Sequence, residues 1–98
     1  MTERTDALHI ELAGKLRAML DLTPARPMSA IHHLFGILYA GEIRDMKNYE
    51  LEYIAELAGQ TASMGKEIRK GRNLAAYVEV KPAFRQYHIW PQARPRGA

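Results

Sequence analysis

The sequence predicts a mainly α-helical domain of three to four helices that closes with a short C-terminal β-hairpin. Three observations carry this prediction. Apolar residues recur at steps of three and four through most of the first 70 positions. Pro24, Pro27 and Gly41 fall at the ends of those periodic stretches. After Gly71 the period drops to two. With 98 residues and 47% hydrophobic content, the chain has room for one packed domain and is too apolar for wholesale disorder. That domain is expected at residues 1–90, followed by a flexible basic tail at 91–98.

The first helix is expected behind Thr5 as its cap. Leu8, Leu12, Leu16, Met19 and Leu20 share one face, and the residue before Pro24 is pushed out of the helical region. Residues 23–27 form a connector with two prolines. Pro27 suits a first helical turn, where its missing N–H is not needed. From Met28 to Ala40 apolar residues cover most of the circumference, as expected of a central helix, and Gly41 stands where a terminating glycine belongs.

The third stretch allows two readings. One helix can run from about Asp45 to Lys70, with Ile54, Leu57, Thr61, Met64 and Ile68 as a packing seam. Alternatively the chain breaks at Gly59, a residue free to take positive φ, and Thr61 caps a new helix. Beyond Gly71, Tyr77–Lys81 and Phe84–Trp90 alternate around Pro82-Ala83, which reads as the hairpin. A short helix at Asn73–Tyr77 is the competing reading.

With the break at Gly59, residues 51–71 resemble the helix-turn-helix unit of DNA-binding regulators. Ile54 and Ala55 match in the first helix, Ala58 and Gly59 at the turn, Thr61 at the second cap and Ile68 on the buried face. Two residues depart from that pattern. Gln60 stands at a turn position that is normally apolar, and Gly65 stands where such units bury Val or Ile. The resemblance implies a second helix from about Ala62 to Lys70. It implies that Ala62, Ser63 and Lys66 face base edges, while Arg69, Lys70 and Arg72 meet phosphates, joined by Lys81 and Arg85 from a wing-like hairpin.

Charge points the same way. The net charge is +3. Residues 1–63 hold six bases and nine acids, whereas residues 64–98 hold eight bases and two acids. The basic last third therefore expects an anionic partner, either DNA or RNA or an acidic protein surface. Tyr77, Phe84, Tyr87 and Trp90 interleave with those bases, a pattern that suits either a small core or stacking on single-stranded bases.

No catalytic, cofactor or metal constellation emerges. Cysteine is absent, which removes disulfides, thiolate catalysis and cysteine-bound zinc. His32 and His33 are adjacent, so on a helix they point about 100° apart and cannot chelate one ion together. Glu52 and Glu56 share a helix face without a nucleophile or metal set beside them, and Thr61 and Ser63 have no His–acid arrangement nearby. The longest apolar run, Leu34–Ala40, is far short of the roughly 20 residues a bilayer needs. The expectation is a non-enzymatic, cytoplasmic binding protein without a membrane role. The alternative function is a helix-mediated adaptor or an inhibitor of a larger complex, of the kind phages carry. Its surface would use the small residues Ala55, Ala58, Gly59 and Ala62 with Met64, or would join two copies as a homodimer.

Overall fold

The computed structural model describes residues 3–23 and 27–88. Among these residues five helices follow one another: α1 (Glu3–Leu22), α2 (Met28–Leu38), α3 (Asn48–Leu57), α4 (Met64–Leu74) and a short α5 (Pro82–Arg85). Helix α1 begins at Glu3, so Thr5 lies inside the helix and is not its cap. Leu12, Leu16, Met19 and Leu20 form its buried stripe, as their spacing predicts. The connector residues 24–26, Ile89 and Trp90 of the expected hairpin, and the tail at 91–98 lie outside the described residues.

Helix α2 ends two residues before the expected Ala40. Tyr39 leaves helical geometry, and the chain continues in single turns, with Ile43 N–H donating to Tyr39 O (3.0 Å) and Met46 N–H to Ile43 O (3.0 Å). Tyr39 and Ile43 are both fully buried, so this segment extends the core. The main chain of Lys47 donates to the Glu50 carboxylate at 2.9 Å, which ties down the start of α3.

The core gathers Leu12 and Leu16 from α1, Ile31 and Phe35 from α2, Leu51 and Ile54 from α3, and Ile68 from α4. Helix α4 lies against α2 and α3, while α1 lies against α3 and α2. The α2–α4 crossing is built from main chain. A Cβ on Gly36 would sit 2.8 Å from Arg72 N and would overlap the Ile68 carbonyl. A Cβ on Gly71 would overlap the His33 carbonyl. Only glycine at both positions lets the two backbones touch.

The four histidines serve the fold. His9 meets Glu50 at 3.1 Å across α1 and α3, and His33 meets Glu67 at 2.6 Å across α2 and α4. His88 meets Glu42 at 3.1 Å, fastening the C-terminal segment to the α2–α3 loop. His32 is buried and donates through Nδ1 to Met28 O at 2.7 Å. Burial holds its pKa below the ordinary 6.5. Among the described residues, no group of three or more His, Asp or Glu is placed to hold a metal ion.

The expected hairpin finds no strand among the described residues. Pro82 opens α5 from an extended Lys81, and short-range bonds replace a ladder: Phe84 N–H to Lys81 O, Tyr87 N–H to Phe84 O and His88 N–H to Arg85 O. The alternation of Phe84, Gln86 and His88 therefore has no sheet behind it. Tyr39 Oη donates to Tyr87 O at 2.9 Å and its ring meets His88 edge-on, which seats this segment over the core. The competing helix at Asn73–Tyr77 is closer to what forms, because α4 runs to Leu74 and turns through Tyr77.

Candidate nucleic-acid interface

Gly59 resolves the third stretch. Its φ is +83°, and it is the one positive-φ residue among those described. Gly59 N–H donates to Glu56 O (3.0 Å) and Gln60 N–H to Ala55 O (2.9 Å). This paired 5→2 and 6→1 arrangement is a Schellman stop, which only a residue at ease in the left-handed region permits cheaply. Arg17 of α1 adds a bond from Nη1 to Ala58 O at 2.9 Å, so the turn is held from outside as well. The chain is helix, turn and helix, and the single long helix does not form.

The second helix starts later than expected, at Met64, with Ser63 as its N-cap residue. The Thr61 hydroxyl does not cap it and instead bonds Ser63 Oγ at 2.8 Å. The turn leads into α4 through tight bonds: Met64 N–H to Thr61 O, Gly65 N–H to Ala62 O and Lys66 N–H to Ser63 O. Gly65, which departs from the usual pattern, is explained by contact. A Cβ there would stand 2.8 Å from Glu52 N and 2.9 Å from Glu52 Cα, so α3 and α4 cross too closely for a side chain. Gln60, the other departure, is half-buried and reaches the Gly59 carbonyl at 3.5 Å.

Helix α4 buries Gly65, Ile68 and Gly71. At 100° per residue, Ser63, Lys66, Lys70 and Asn73 fall on the opposite side, and all four are exposed. Arg69 flanks them, half-buried, and neither it nor Lys66 forms an ion pair among the described residues. Lys70 lies 3.4 Å from Glu67. Glu67 is held below its ordinary pKa of 4.5, first by the hydrogen bond from His33. It therefore stays anionic at the edge of this face.

The remaining expected site residues divide. Arg72 does not point outward with the lysines. Its Nη1 donates to Ile43 O (3.1 Å) and Met46 O (2.8 Å), clamping the α2–α3 loop to α4. Lys81 precedes α5 and Arg85 lies on it. Both are exposed, and Arg85 donates through Nε to Val80 O at 3.0 Å. In the alternative protein-facing set, Ala55 and Ala58 are buried in the fold, Met64 packs against the core, Ala62 is half-buried and only Gly59 is exposed. Of the aromatics, Tyr87 packs on the core whereas Tyr77 is 83% exposed.

Asn73 shares this exposed face and is a residue that the sequence reading left off it. Taking Gly71 as the end of the helix removed it from the face it shares with Lys66 and Lys70. Its spacings of three and seven residues from those lysines were the available signal. Among the described residues no helix is long and apolar enough to cross a membrane.

Comparison with known proteins supports the same unit on a wider scale. The model of the HTH-like domain family matches residues 9–81, from His9 within α1 through the whole of α2, α3 and α4. No curated protein and no solved structure matches the chain. With the match covering most of the length and the helix-turn-helix geometry present in α3 and α4, the chain belongs to the HTH-like domain family.

Proposed function

We propose that this protein binds nucleic acid, duplex DNA in the first instance, with the outer face of α4 in the major groove. The observation that carries this reading is the pairing of a closely packed, buried inner face with an exposed cationic outer one. Ser63 and Lys66, near the start of α4, face base edges. Arg69 and Lys70 meet phosphates along the groove wall, and Lys81 and Arg85 add backbone contacts beyond it. Arg72 acts indirectly, by fixing the loop against α4. The role proposed is regulatory and non-enzymatic.

The test is fluorescence anisotropy with labelled duplex and single-stranded DNA across a salt series. Four phosphate contacts predict a loss of roughly 100-fold in duplex affinity for a four-fold rise in salt. A variant with Lys66, Arg69 and Lys70 changed to Glu, and Arg72 left intact, should stay folded and lose binding. Absence of duplex binding at low salt would overturn the proposal and favour a protein partner. Preference for the single strand, lost in Tyr77→Ala, would redirect it to base stacking.

A further inference from the structure

Among the described residues four glycines lie within helices, and three of them are explained by close backbone contact. Gly36, Gly65 and Gly71 each sit where another backbone passes too closely for a Cβ. Gly14 differs. A Cβ there would meet nothing within 4 Å, and the residue lies on the exposed side of the 20-residue helix α1. Glycine is a poor helix former, so nothing among the described residues favours it at this position.

The ridge through Gly14 is apolar and open, and two ion pairs flank it, Glu11 with Lys15 and Arg17 with Asp21. Ile10, Gly14, Ala18 and Leu22 follow one another at steps of four, a continuous ridge along the helix. Ile10 is 58% exposed and Leu22 is 65% exposed. Beside the ridge runs a cleft of about 350 Å³ lined by Gly14, Ala18, Met19, Leu22 and Tyr87, with Glu11 and Lys15 on its edge. Glu11 and Lys15 carry opposite charges one helical turn apart, 3.7 Å from each other.

We infer that α1 is the contact surface of a homodimer in which two copies cross antiparallel at Gly14. A two-fold axis at that residue sets glycine against glycine, the closest approach two helices can make. It sets Ile10 of each copy against Ala18 of the other, large against small. It brings Glu11 of each copy beside Lys15 of the other, so the charged edge is complementary to itself. That self-complementarity selects a second copy over an unrelated partner. Helix α1 packs on α3 and α2 and has no extensive contact with α4, so the dimer leaves both α4 outer faces free. The association needs no nucleic acid and stands apart from the role proposed for α4.

Sedimentation equilibrium of the full chain over a wide concentration range tests this directly. The wild type should fit a reversible monomer–dimer equilibrium. Gly14→Arg should be monomeric throughout and keep its helical circular dichroism, because the new Cβ meets nothing within the monomer. Glu11→Lys and Lys15→Glu should each weaken the dimer about ten-fold, and the double exchange should restore it. A monomeric wild type, or a dimer that survives Gly14→Arg, overturns the inference. If the chain's own residues 89–98 cover the face, the wild type will be monomeric and the emission of Trp90, the single tryptophan, will shift in Gly14→Arg. A monomer that binds duplex overturns the dimer alone, and a dimer that binds none overturns the α4 proposal alone.

Discussion

The inner face of α4 carries Gly65, Ile68 and Gly71, and its outer face carries Ser63, Lys66, Lys70 and Asn73. The inner face works by lacking side chains. Two of its three residues let a neighbouring backbone touch the helix, and Ile68 fills the one space left between them. The outer face consists of exposed side chains that stand outside the core. Under the proposed function, position and recognition are assigned to different atoms of one helix: main chain sets where it lies, and side chains set what it meets. Arg72 shows that charge alone does not reveal which group a residue belongs to. It is basic and adjacent to the lysine face, yet both of its observed bonds go to carbonyls of the α2–α3 loop.

This division can be broken most forcefully at Gly71. Gly71→Ala drives a methyl group into the His33 carbonyl, with backbone on both sides and no flexible neighbour to yield. A loss of about 3 kcal/mol or more is expected, read from urea denaturation followed by circular dichroism. A loss below about 1 kcal/mol would show that the seam gives way. Arg72→Met comes next. It keeps the apolar stem but leaves two carbonyls without their charged donor, for an expected loss of about 2 kcal/mol in the same titration.

A smaller effect separates pH from packing. His32 is held neutral by burial, so its folded pKa lies below 6.5 and the unfolded chain takes up the proton first. Stability should therefore be full above pH 6.5 and decline as pH falls below it. Glu67, whose folded pKa lies below 4.5, adds a further loss only below that value. His32→Gln should flatten the upper limb and leave the lower one, as seen in melting temperature against pH. The smallest effect belongs to the outer face. Lys66→Ala should change stability by no more than about 0.5 kcal/mol while weakening duplex binding several-fold. Were Lys66→Ala as damaging to stability as Arg72→Met, the two faces would not be separable.

Much of this arrangement was legible in the sequence. The apolar steps of α1 and α3 mark their buried sides, and Gly59 offers the break as one of two readings, which its positive φ then decides. What stayed hidden depends on partners distant in sequence. Gly65 reads as a departure from the helix-turn-helix pattern until Glu52 is seen beside it. Gly71 reads as a helix end until His33 is seen to cross there. Arg72 reads as a phosphate contact because its actual acceptors are main-chain carbonyls, 26 and 29 residues away, which have no residue signature. The period-two alternation after Tyr77 misleads for a different reason. Around Pro82, local three-residue bonds take up main-chain groups that a ladder would otherwise use.

The main-chain seam between α2 and α4 bears on how this protein can diversify. A crossing set by two touching backbones keeps its angle whatever side chains the far side of the helix presents. Ser63, Lys66, Lys70 and Asn73 can be exchanged singly or together, and each new combination inherits the same aim. Gly36 and Gly71 have no such freedom. If the outer face of α4 reads nucleic acid as proposed, a lineage built on this seam can acquire new specificities by substitutions on one surface, with two glycines as its fixed points.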